Sequence, residues 1–155
     1  MIIIGYQGIG KSTLAKNDNR FVDLESSMMR GSDGNRPDNW VEIYCNIAED
    51  ISRQGKVVFV ACHNAIQEQL RISKEKVYLC FPNPALKDAW IDRLQKRYDE
   101  DPSAKNLAAL KRTQDYFDED INALLDNGWY HHIIITSIDD YLFNTIDRYV
   151  GGYLV

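Results

Sequence analysis

Nine residues near the start of the chain, Gly5-Tyr6-Gln7-Gly8-Ile9-Gly10-Lys11-Ser12-Thr13, bring together three glycines, an ammonium and two hydroxyls. Gly5, Gly10, Lys11 and Ser12 match the spacing G-x-x-x-x-G-K-[ST] in full. In that pattern backbone N–H groups cradle a nucleotide's phosphates, the lysine reaches the outer phosphates and the hydroxyl ligates Mg²⁺. A plain glycine turn between a strand and a helix is the competing explanation, and context weighs against it. An apolar run, Met1-Ile2-Ile3-Ile4, precedes the loop, and Lys11 to Lys16 can start a helix whose free backbone donors would meet an anion. Gly8 permits close backbone approach. The expected nucleotide-binding residues are therefore Gly5, Gly8, Ile9, Gly10, Lys11, Ser12 and Thr13.

Phosphoryl transfer also needs a carboxylate near the metal or the attacking oxygen. The apolar run Val57 to Cys62 continues into His63-Asn64 and offers no acid at its end. The run Phe21-Val22-Asp23-Leu24-Glu25 does. Asp23 is the expected base or metal ligand together with Ser12, with Glu25 a weaker candidate and a turn or cap residue the alternative for both. His63 and Asn64 are expected at a strand mouth, either holding the acceptor or positioning a water, or more plainly with Asn64 capping the next helix and His63 filling a turn. His131 and His132 have no carboxylate or cysteine at ligand spacing and are expected to be structural.

The elements that must position these residues follow from hydrophobic pattern. Five short apolar runs, Met1-Ile4, Phe21-Leu24, Val57-Cys62, Val77-Phe81 and His132-Thr136, alternate with helical patterns, which is the mark of a parallel α/β sheet. Trp40, Tyr44, Ile47 and Ile51 recur at helical spacing and Gly55 stops that helix, a stripe expected to be core. Two further helices divide at Pro102, one over about 85–98 and one over about 104–127. Projected at 100° per residue, Arg93 and Arg97 share a stripe with Leu86 and Trp90. Such cations overhang a polar cleft, snorkel to water, or pair with acids such as Asp115 or Glu119.

The chain has 155 residues, 45% hydrophobic and 26% charged, with a formal net charge of −5, as expected for a single globular domain over 1–155. The acidic balance argues against an open nucleic-acid-binding face. No run approaches 18 apolar residues, so no membrane association is expected. Cys45, Cys62 and Cys80 lie in apolar segments without metal-ligand spacing and are expected to be reduced and buried, in keeping with a cytoplasmic protein.

Taken together, the phosphate loop, the acid ending the second strand and the acid-free third strand resemble the small P-loop kinases, a group that includes nucleoside monophosphate, shikimate and gluconate kinases. Val60-Ala61-Cys62-His63-Asn64 running to Gln69-Leu70-Arg71 is similar to a gluconate-kinase segment whose helix carries an arginine. His63-Asn64 departs from the Ser-Ala of that segment, so sugar-acid specificity is not implied. The resemblance implies an adenylate-kinase-like P-loop NTPase fold, three-layer α/β/α with a five-stranded parallel sheet in order 2-3-1-4-5. It also implies a lid over about 82–128, mobile without ligand over about 82–102. By the same resemblance the catalytic residues are Lys11, Asp23, Arg71, Arg93 and Arg97, and the cofactors are ATP and Mg²⁺. The expected activity is phosphoryl transfer to a small acceptor, foremost a nucleoside monophosphate, by a monomer or weak homodimer. A sugar acid, a polynucleotide 5′-hydroxyl and a nucleotide-binding module with little or no kinase activity are the alternatives.

Overall fold

The computed structural model describes residues 1–151. Five strands form one all-parallel sheet in the order β2-β3-β1-β4-β5. They are β1 (Ile2–Gly5), β2 (Phe21–Asp23), β3 (Val57–Ala61), β4 (Val77–Pro82) and β5 (His131–Ile135). Among the described residues there are six α-helices: α1 (Lys11–Asn17), α2 (Trp40–Arg53), α3 (Asn64–Gln69), α4 (Lys87–Glu100), α5 (Ala104–Asp126) and α6 (Leu142–Val150). The strand order matches the one expected from sequence. β1 is buried throughout and β3 nearly so, as unbroken Val/Ile-rich runs require when both faces of a sheet are covered.

Two compact units divide the chain. The first comprises Met1–Gly5, Gly10–Leu79 and Trp129–His131. In it β1 pairs with β3 from Ile2 opposite Val58 to Gly5 opposite Ala61, and β2 pairs with β3 from Phe21 opposite Val57 to Asp23 opposite Phe59. α2 packs on β3 through buried Tyr44, Cys45 and Ala48. Its stop is the one expected: Gly55 takes φ of +84°, a value that a residue without Cβ adopts readily.

The second unit comprises Tyr6–Ile9, Cys80–Gly128 and the chain from His132 onward. Here α4 and α5 pack together. Trp90 and Leu94 are the buried residues of α4; Leu110, Thr113, Phe117, Ile121 and Leu124 line the buried stripe of α5. Asn83 Oδ1 accepts from Ala85 N at 2.9 Å, which starts a 3-10 turn at Pro84–Leu86. That turn shifts α4 two residues beyond the expected 85–98. Pro102 disfavours helix at the residue before it, and Asp101 leaves the helical region accordingly. Ser103 Oγ then caps α5, accepting from Asn106 N at 3.1 Å. Among the described residues no helix is long and apolar enough to cross a membrane.

Candidate functional site

The middle of the glycine-rich loop is held by α4 and α5 within the second unit. Tyr6 N donates to Cys80 O on β4 at 2.9 Å. Gln7 Nε2 donates to Thr113 Oγ1 on α5 at 3.0 Å, and Trp90 Nε1 donates to Gln7 O at 2.8 Å. Arg93 Nη1 donates to Gly8 O at 3.1 Å, while its Nη2 donates to Ile138 O, past the end of β5. The Arg93 guanidinium also lies over the Trp90 ring, 4.5 Å from its centroid. Burial lowers the Arg93 pKa from its usual value and nearby Asp139 opposes the shift.

These bonds fix the orientation of the loop's peptide planes. No peptide bond among the described residues is cis. In a trans peptide the C=O of one residue and the N–H of the next point in opposite directions. Anchoring the Gln7 and Gly8 carbonyls on α4 therefore turns the N–H groups of Gly8 and Ile9 away from that helix. Gly8 itself has φ of +85°, and a Cβ there would stand 3.0 Å from both Leu94 Cδ2 and Trp90 Nε1. Its lack of a side chain, expected to let a ligand approach, is already required by the packing of Trp90 and Leu94.

In the first unit the loop's two ends are set. Gly10, left-handed at φ 100° and ψ 20°, is the residue before α1, and Leu14 N donates to its carbonyl at 3.0 Å. Lys11 Nζ donates to Gly5 O at 2.9 Å. Ser12 and Thr13 are exposed in the first turn of α1. Among the described residues the N–H groups of Gly8, Ile9, Gly10, Ser12 and Thr13 have no protein partner. Backbone donors in that condition suit an anion.

The strand ends of the first unit carry the acids. Asp23 is the last residue of β2 and is half-buried; Glu25, also half-buried, precedes a 3-10 turn at Ser26–Met29. The Tyr44 hydroxyl joins the ends of two strands, donating to Leu24 O and accepting from Ala61 N at 3.0 Å. Burial raises its pKa above the usual phenol range, the Ala61 N–H opposes, and the nearby Asp23 carboxylate adds to the rise. At the end of β3 the expected cap is displaced by one residue. His63 is the N-cap of α3, its Nδ1 accepting from Ala65 N at 3.1 Å, and Asn64 is the first helical residue. An imidazole in the tautomer with an unprotonated Nδ1 does here what the Asn side chain was expected to do. Ser12 and Asp23 offer hard oxygen donors of the kind Mg²⁺ takes alongside phosphate oxygens. Among the described residues no group of three His, Cys, Asp or Glu gathers as a metal cage.

The arginines named from sequence stand in unlike surroundings. Arg71 is exposed, ion-paired with Glu68 at 3.0 Å, and its guanidinium lies 5.1 Å from the Trp129 ring centroid. Arg93 is bound to two backbone carbonyls, as above. Arg97 is half-buried and has no carboxylate partner among the described residues, neither Asp115 nor Glu119. Cys45 and Cys80 are buried as expected, whereas Cys62 at the mouth of β3 is half-buried, and none of the three is in a disulfide. His131 and His132 lie in β5, where His132 Nε2 bonds Asn127 O at 2.6 Å.

Sequence reasoning missed Gln7, Thr113, Tyr44 and Arg36. Gln7 lies inside the motif at a position where any residue is allowed. Thr113 interrupts the apolar stripe of α5, which was the available signal. Tyr44 belongs to the stripe expected to be core, and helical spacing says nothing of what its hydroxyl meets. Arg36 stacks on Trp40 and lies outside any periodic element. No protein-family model matches the chain, and no curated sequence matches it either.

Proposed function

We propose that residues 5–13 bind the phosphates of ATP with Mg²⁺ and that the protein transfers a phosphoryl group to a small acceptor, a nucleoside monophosphate foremost. One observation carries the phosphate part. Protein donors hold the loop's carbonyls at Gly5, Gln7 and Gly8, and the N–H groups of Gly8, Ile9, Gly10, Ser12 and Thr13 have no partner among the described residues. Oriented amides of this kind favour an oxyanion and need little rearrangement to receive one.

Lys11 would exchange its bond to Gly5 O for the outer phosphates. Ser12 and Asp23 would hold Mg²⁺, and Asp23 or Glu25 would take the proton from the acceptor's hydroxyl. Bound ATP·Mg²⁺ supplies the transferable phosphoryl group and neutralises part of its charge. Arg93, on α4, holds Gly8 in place. A second reading, a nucleotide-binding module without transfer, is favoured by the third strand's end, where His63 and Asn64 stand in place of an acid.

Calorimetry of ATP·Mg²⁺ binding to the wild type and to Lys11→Ala tests the first step. A charge-assisted contact is worth about 1.5–3 kcal/mol, so binding should weaken about ten- to hundredfold. Equal affinities would overturn the assignment. A coupled ADP-release screen over nucleoside monophosphates, nucleosides, sugar acids and 5′-hydroxyl oligonucleotides then separates transfer from binding alone.

A further inference from the structure

We propose that Tyr44 is a positioning residue for the carboxylates at the end of β2, its hydroxyl standing as a spacer in the ladder between β2 and β3. The spacer rests on geometry alone; its use in holding Mg²⁺ rests on the phosphate-binding reading above.

The ladder shows where the spacer stands. Phe21 lies opposite Val57 and Asp23 opposite Phe59. Val57 N donates to Arg20 O at 2.9 Å, and further along Leu24 N donates to Phe59 O at 2.9 Å. Bonds between parallel strands recur evenly, each strand advancing two residues per repeat. Two repeats beyond the bond from Val57 N to Arg20 O, the next would run from Ala61 N to Leu24 O. The Tyr44 hydroxyl takes that place. Ala61 N donates to it at 3.0 Å, and it donates in turn to Leu24 O. β3 thus continues to Ala61 while β2 ends at Asp23.

An oxygen set between a donor and an acceptor that would otherwise meet parts the two strands at their carboxyl ends. Ligands of open α/β sheets bind outside those ends. The spacer is held from behind, because Tyr44 is fully buried and its helix, α2, packs on β3. The carbonyl it holds belongs to Leu24, between Asp23 and Glu25 in the chain. Burial raises the Tyr44 pKa and the Asp23 and Glu25 carboxylates add to the rise, so both act on the hydroxyl's surroundings. α1, which begins with Lys11 and Ser12, packs against β2 within the same unit. The hydroxyl therefore sets how the strand end bearing Asp23 meets the helix bearing Ser12.

Tyr44→Phe keeps the ring and removes the spacer. Crystal structures of wild type and Tyr44→Phe without ligand read the spacer directly. Ala61 N and Leu24 O should draw together into a direct hydrogen bond, and the backbone of residues 23–25 should move with them. An unmoved backbone overturns the proposal. Calorimetry of ATP with Mg²⁺ and with EDTA reads the spacer's use, in wild type, Tyr44→Phe, Asp23→Asn and Cys45→Ala. Mg²⁺ should tighten ATP binding to wild type about tenfold or more. Tyr44→Phe and Asp23→Asn should each lose most of that gain and keep the affinity measured in EDTA. Cys45→Ala, a buried change on the same helix, should lower the melting temperature and keep the gain, as Tyr44→Phe would if its role were merely structural. Loss of the gain in Asp23→Asn but not in Tyr44→Phe upholds the metal reading and removes the positioning role. A gain that neither variant alters removes Asp23 from the metal and the positioning role with it. A shifted β2 end in Tyr44→Phe, with no ATP binding even by wild type, upholds the spacer and removes the phosphate reading. Should Tyr44→Phe fail to fold, hydrogen exchange of the wild type decides. The Ala61 amide should be protected like its neighbours in β3, and free exchange there overturns the spacer.

Discussion

Trp90 with Arg93 and Trp40 with Arg36 are the same two residue types at nearly the same separation, 4.5 and 4.3 Å from guanidinium carbon to ring centroid. Among the described residues, no buried side-chain polar atom of Trp90, Arg93 or Gln7 is left without a partner. The ring is fully buried, its N–H reaches Gln7 O, and Arg93 binds the carbonyls of Gly8 and Ile138. Around Trp40 the ring is half-buried, and Arg36 has a single bond and a buried, unpartnered Nε. A stacked guanidinium whose N–H groups reach two backbone carbonyls is a strut. Arg36, with one hydroxyl contact, is not held in that way, and the difference lies in backbone carbonyls that no local sequence pattern reveals.

The largest expected effect separates the two rings. Trp90→Ala should cost about 3–5 kcal/mol, as removal of a buried aromatic does. Trp40→Ala should cost about 1–2 kcal/mol, because less apolar surface returns to water. Urea unfolding of both variants measures this, and equal losses would break the comparison. The arginines come next. Arg93→Ala removes two charge-assisted bonds and leaves two carbonyls behind, for about 2–3 kcal/mol. Arg36→Ala should lie within about 1 kcal/mol of wild type, since little beyond one hydroxyl contact is lost. A large destabilisation by Arg36→Ala would make it a second strut.

A glycine in each region sharpens the point. Gly8→Ala combines positive φ with contacts at 3.0 Å to Leu94 and Trp90 and should cost about 2–3 kcal/mol. Gly34 also has positive φ, 80°, but nothing lies within 4 Å of a Cβ there. Gly34→Ala should therefore cost about 1 kcal/mol. Equal melting-temperature losses would show that strain alone sets both. Hydrogen exchange bears on the same contrast: the amides of α4 around Trp90 and Leu94 should exchange slowly without any ligand, and fast exchange there would favour a lid over a strut.

The smallest effect is chemical. Cys62, half-buried beside His63, should react with a maleimide at about pH 8, close to the ordinary thiol range. Cys45, whose thiol burial pushes up to about 12, and buried Cys80 should stay unlabelled. A raised thiol pKa means less thiolate at the labelling pH, so the sign is slower reaction. Mass spectrometry showing one adduct at residue 62 is the expected result.

Much of this arrangement was legible in the sequence. The five apolar runs and their alternation with helical spacing led to the parallel sheet, because strands covered on both faces leave a short unbroken signal. The spacing of Gly5, Gly10 and Lys11 marked the connection between β1 and α1. The partners of Arg93 did not, because Gly8 and Ile138 lie 85 and 45 residues away in the chain and both contacts go to backbone. Helical projection correctly put Arg93 on the stripe of Trp90 and could not say what that stripe met. Arg36 was invisible for the opposite reason. It lies outside any periodic element, in a turn whose shape depends on Gly34 and on Asp33 accepting from Asn35 N at 2.9 Å.

The carbonyl anchors of Gln7 and Gly8 have a kinetic and calorimetric consequence for any anion the loop receives. A flexible glycine-rich loop loses conformational entropy when it closes on a ligand, and association waits for the closed form to be populated. Here Trp90 and Arg93 have already set those peptide planes while the protein folds. Ordering is thus a property of the free state, so association would be governed by diffusion and charge. The entropy of binding would report released water and counterions more than frozen backbone.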